Sequence, residues 1–129
     1  MIIGLSIPSC VAASDDALEA LIEAMLELVV LQNVEFFKAN PDAPCCLDCG
    51  TIRYREPPFS GRTIFASAED VLRLRETGCG AAAAYVAAKA RTKGVFARAV
   101  VDRTAPRDYH AVVLYPDGSI EDPTANLPS

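Results

Sequence analysis

Apolar residues recur at i, i+3 and i+4 through the first third of the chain. Leu18, Leu21, Ile22, Met25, Leu28 and Val29 fall on one helical face, with Glu19, Glu23 and Glu27 as an acidic stripe opposite. Ser14 is a good N-cap, and Asp15 and Asp16 after it suit the positive end of a helix dipole. The pattern predicts a helix of roughly six turns from Ser14 to about Lys38. Leu26, Val30, Leu31, Val34, Phe36 and Phe37 widen the apolar arc beyond the roughly 100° that one core contact needs. Either the helix is deeply packed, or residues 17–37 also dock on another copy or a larger assembly, leaving Leu26, Val30 and Val34 partly outside the core.

The periodicity then changes. Asn40-Pro41-Asp42-Ala43-Pro44 is a break, Thr51-Ile52-Arg53-Tyr54-Arg55 alternates as a short strand does, and Glu56-Pro57-Pro58-Phe59-Ser60-Gly61 is irregular. Ser67-Ala68-Glu69-Asp70 is a capping box with Asp in place of Glu, opening a short helix through Val71, Leu72 and Leu74 that stops before Gly78. Gly78 and Gly80 permit a tight entry into an alanine-rich helix that begins at Cys79 and closes at Lys93-Gly94. Residues 95–101 read as a strand, 103–108 as a polar turn, and Tyr109 begins a further strand.

Composition narrows the class. At 129 residues, 51% of them hydrophobic, the chain is one domain, with residues 1–40 as an N-terminal helical segment and 50–127 as the core that would carry chemistry. Twelve basic against seventeen acidic residues, net −5 with no basic run, argue against nucleic acid and against an anionic membrane surface as partners. A protein, peptide or small-molecule substrate fits better. Glu19, Glu23, Glu27 and Glu35 interrupt the longest apolar run, so it does not read as a membrane span, and residues 1–10 lack the basic start of a signal peptide. A lipoprotein cysteine at Cys10 is a weaker reading of the same segment. Five cysteines, three of them in Cys45-Cys46-Leu47-Asp48-Cys49, do not make a regular disulfide framework and read as reduced thiols of a cytoplasmic protein. Cys46 and Cys49 have the spacing of half a zinc site that Cys45 and Cys10 would complete, but no second Cys-x-x-Cys follows. No metal is expected, and the cluster reads more simply as thiols packed in a loop.

The candidate chemistry lies downstream. A cysteine in the first turn of a helix meets unpaired N–H groups and the positive end of the dipole, which favour the nucleophilic thiolate. His110, the single histidine, and Asp122 follow in the order nucleophile, base, orienting carboxylate. Taken singly, each has a plainer reading: a packed cysteine, a hydrogen-bonded histidine, an Asp-Pro turn. Together they need one strand register. Tyr115-Pro116-Asp117-Gly118 fits a type I turn with a G1 bulge, which pairs Tyr115 with Ser119 and sets Leu114 opposite Ile120 and Val112 opposite Asp122. His110 and Asp122 are then diagonal neighbours on one face, whereas a two-residue loop would put them on opposite faces.

These segments resemble the transglutaminase-like branch of the papain-like cysteine peptidases. The likeness rests on Gly78-Cys79 opening a helix of small residues, on Tyr109-His110-Ala111-Val112-Val113, and on Pro116-Asp117-Gly118-Ser119-Ile120-Glu121-Asp122-Pro123-Thr124. It spans residues 50–127 and is closest to short versions found in phage and prophage gene neighbourhoods. The resemblance implies an α+β fold, the nucleophile helix packed on a small antiparallel sheet, here with a long N-terminal helix added. It also implies Cys79 as nucleophile, His110 as base and Asp122 as orienting group, acting without a cofactor on a peptide or side-chain amide in a bacterium or phage-infected host. One departure is that both neighbours of Cys79 are glycine, where the family usually carries a polar residue. The rival expectations are a non-catalytic assembly protein of a phage particle and a small zinc module.

Overall fold

The computed structural model describes residues 2–6, 15–44, 47, 52–55, 62–105, 108–125 and 127. Among these the order is β1 (Ile2–Ser6), α1 (Asp15–Ala39), β2 (Arg53–Tyr54), β3 (Arg62–Ala66), α2 (Ala68–Leu74), β4 (Glu76–Thr77), α3 (Cys79–Thr92), β5 (Arg98–Ala105), β6 (Asp108–Leu114) and β7 (Ile120–Glu121). The fold is mixed α+β with a long N-terminal helix and small sheets: an antiparallel β5-β6-β7 sheet, an antiparallel β1-β3 pair and a short parallel β2-β4 pair.

The alanine run decides the packing. Every residue of α3 from Cys79 to Lys89 is buried. Methyl-sized side chains let neighbouring elements approach on all sides, so α3 packs against α1, β5 and β6 at once, and Tyr85 fills the volume that alanines leave by stacking edge-on against Phe37 at 4.8 Å. The sheet contributes Ala99, Val101, Ala111 and Val113 to this core.

Helix α1 departs from the expected arc. Leu26 and Val30 are fully buried and Val34 packs against the core, so these three are not the outward patch expected of them. The buried face runs through Leu18, Ile22, Met25, Leu26, Val29, Val30, Asn33 and Phe37, while Leu28 and Leu31 are the exposed leucines. The acidic stripe is not a solvated face either. Glu23 Oε2 accepts the Val101 N–H at 2.9 Å, and Glu27 forms a two-pronged pair with Arg91 at 2.7 and 2.8 Å. Carboxylates on the helix flank thus satisfy partners on β5 and α3, and the apolar face rotates away from them. Inside the core, Asn33 Oδ1 accepts the N–H of Ala68, the first residue of α2, at 2.8 Å, which serves a helix start whose Ser67 makes no side-chain cap.

Three strands were absent from the pattern reading: β1 and β3, paired over Ile2↔Ala66 through Ser6↔Arg62, and β4, which follows because the helix opened at Ser67 ends at Leu74 with Arg75 in the left-handed region. Strand β5 starts at Arg98, not Val95, because the α3 exit claims Val95 N–H for the Ala90 carbonyl. Beyond Val101 it runs on to Ala105, through part of the expected polar turn, since backbone pairing there does not depend on side-chain polarity. Among the described residues no helix is long and apolar enough to cross a membrane.

Candidate active site

The turn chemistry places the histidine and the aspartate. Gly118 N–H donates to the Tyr115 carbonyl at 2.9 Å, Tyr115 N–H donates to the Ser119 carbonyl at 2.9 Å, and Gly118 takes φ +89°. This is a type I turn closed by a left-handed residue, with Asp117 Oδ1 accepting both the N–H and the hydroxyl of Ser119. The ladder that follows pairs Leu114 with Ile120 and Val113 with Glu121, the register expected from the proline at the turn's second position. His110 and Asp122 are consequently diagonal partners, and His110 Nε2 lies 2.8 Å from Asp122 Oδ2.

The carboxylate is held from both sides. Its other oxygen, Oδ1, accepts the Thr124 hydroxyl at 2.8 Å and the Thr124 N–H at 3.1 Å. Partial burial raises the Asp122 pKa, but the hydrogen bonds from His110 and then Thr124 outweigh it and hold the carboxyl below its ordinary range. An ionised carboxylate can only accept, so in the neutral imidazole the proton sits on Nε2 and the Nδ1 lone pair is left available as a base. Both side chains remain about one-third exposed. The sequence pattern assigns Thr124 no role, although the Asp-x-Thr spacing, with the aspartate in a turn, is a readable signal for it.

Cys79 is the first helical residue of α3, with Gly78 as the extended N-cap, and it is 6% exposed. The helix it opens packs on β5 and β6, and Arg91 Nε in its last turn donates to the Ala97 carbonyl just before β5. Along β6, Ala111 and Val113 enter the core shared with α3 and His110 alternates with them, so the imidazole stands at the strand's beginning on the face of Val112 and Asp122, the face turned away from α3 and Cys79. On the other face Tyr115 donates to Glu121, and burial together with that carboxylate pushes its pKa up to about 12, which rules Tyr115 out as a base near neutrality.

Cys10, Cys45, Cys46 and Cys49 lie outside the described residues, as does the zinc reading built on them. Among the described residues no group of three or more His, Cys, Asp or Glu side chains is arranged to hold a metal ion. No family model, no curated protein and no solved structure matches the chain.

Proposed function

We propose that the chain is a thiol-dependent amide hydrolase of the transglutaminase-like, papain-like type, with Cys79 as nucleophile, His110 as base and Asp122 as the orienting carboxylate. The observation that carries this reading is the 2.8 Å contact between His110 Nε2 and Asp122 Oδ2, with Asp122 anchored by Thr124. In the reaction His110 Nδ1 takes the Cys79 proton as Sγ bonds to the amide carbonyl carbon. The resulting imidazolium, stabilised by Asp122, then protonates the leaving amine as the C–N bond breaks, giving a thioester. Water attacks the thioester with His110 as base, releasing the carboxylic acid and restoring the thiol; an amine in place of water gives transamidation. The backbone N–H of Cys79, at the start of α3, is the natural first donor to the oxyanion.

The test is the alkylation rate of each cysteine against pH, read by mass spectrometry of peptides after iodoacetamide treatment. A live site gives one hyper-reactive thiol, Cys79, reacting well below the free-thiol pKa of about 8.5, and His110→Ala abolishes that acceleration. Equal reactivity of the five cysteines, or no effect of His110→Ala, overturns the assignment. A second reading is favoured by the burial of Cys79 and the exposure of Leu28 and Leu31 on α1: a non-catalytic protein of a phage particle or related assembly that keeps the fold. In that case Cys79 stays unreactive until denaturant is added, and sedimentation shows a self-associated species that Leu31→Lys dissociates.

A further inference from the structure

We infer that the end of the molecule opposite Cys79 carries a binding site for a small oxyanion, a phosphate or carboxylate group, in the notch where α1 and α3 both finish. The notch has a volume of about 320 Å³ and is lined by Phe37, Lys38, Pro41, Lys89, Thr92 and Lys93. That volume lies at the lower end of the ~300–1,000 Å³ usual for small-ligand sites. Among the described residues its lining offers ammonium groups and a hydroxyl, and no carboxylate.

Lys89 is the residue that calls for a ligand. It is 5% exposed, so its charge has lost most of its water. Its Nζ reaches the Pro41 carbonyl at 3.4 Å, near the limit for such a bond, and lies 4.8 Å over the Phe37 ring. An ammonium has three N–H donors, and among the described residues no carboxylate pairs with this one. Burying an unpaired charge is costly, and an anion seated in the notch would supply the missing counter-charge and further acceptors. Lys38, whose nearest carboxylate is Glu35 at 3.5 Å on an open surface, can swing toward the same anion. The carbonyl ends of α1 and α3 oppose it with about half a unit charge each, too little to offset the ammonium groups around the notch. Nothing in this site is shared with His110 and Asp122, so its fate is separate from that of the proposed thiol chemistry.

Inorganic phosphate and acetate are titrated separately into the full chain at low ionic strength, following backbone amide shifts by two-dimensional NMR. Saturable shifts confined to residues 37–44 and 89–94, with Kd in the range of about 1–10 mM, are expected for at least one of the two anions. Whichever saturates identifies the oxyanion. Lys89→Met, which keeps an unbranched stem, weakens that binding at least about tenfold, as loss of a charge-assisted hydrogen bond does. Lys38→Gln, at an exposed position where folding is not at risk, weakens it several-fold and carries the test if Lys89→Met does not fold. No saturation with either anion, equal shifts with sodium chloride at matched ionic strength, or unchanged affinity in the variants overturns the site.

Discussion

Thr124 and Asp122 carry the sharpest expectations at the scale of single residues. Removing the Thr124 hydroxyl takes away the 2.8 Å bond to Asp122 Oδ1 while leaving the 3.1 Å backbone bond. Thr124→Val is expected to cost about 1 kcal/mol or less, given the partial exposure of its partner, and to slow Cys79 alkylation several-fold through a less firmly held His110. Urea unfolding and the alkylation assay check the two parts. The pH dependence follows from the lowered Asp122 pKa. A carboxyl depressed in the folded state adds stability that is present above its unfolded value, about 3.9, and is lost as pH falls through the folded value. Unfolding midpoints of the wild type and Asp122→Asn, measured from pH 6 down to pH 2, should therefore converge at the acid end. A gap that stays constant would show that the Asp122 side chain does not contribute through its charge. Asp122→Asn is also expected to keep the fold at pH 7 while losing most thiol activation, since an amide favours the wrong imidazole tautomer.

At the scale of elements, the hairpin was legible and the long helix only half so. Proline at the second turn position and a glycine free to take φ > 0 are local signals, and they set the β6–β7 register without help from the rest of the fold. The face of α1 is decided by what packs on it. Periodicity alone placed Leu28 inside and Leu26 outside, because it could not show that Glu23 and Glu27 would be drawn to Val101 N–H and Arg91. The β1–β3 pair was missed for a similar reason, since its five-residue strands pair with each other across most of the first half of the chain. Two predictions follow from these elements. Pro116→Thr combined with Asp117→Asn installs an Asn-Gly loop at 117–118 that pairs position 116 with Ser119 and slips the register by one, so Asp122 should leave His110 and the imidazole signal of the contact should vanish from NMR spectra while secondary structure by circular dichroism persists. Val30→Glu, at a fully buried position, should cost more than about 3 kcal/mol, whereas Leu31→Glu, half exposed, should stay within about 0.5 kcal/mol by urea unfolding.

Across the whole molecule, Arg91 ties the parts together. Its guanidinium grips both Glu27 oxygens, donates from Nε to Ala97 O, and lies 4.3 Å over the otherwise exposed Phe96 ring, joining α1, α3 and the entry to β5. A lysine cannot reproduce that planar fork. Arg91→Lys should lower stability by about 1–2 kcal/mol, between the worth of an exposed pair and the loss from breaking a buried one, and thermal unfolding will show it. The pairing of β1 with β3 acts on another axis, that of time. Ser6 and Arg62 are ladder partners 56 positions apart, so at the ~5–20 residues per second of synthesis the first strand waits about 3–11 s for its mate. A helix such as α1 forms within about a microsecond of its residues being free to fold. The newborn chain thus carries the apolar segment Ile2-Ile3-Gly4-Leu5 with no strand to pair to until residues 62–66 have been made.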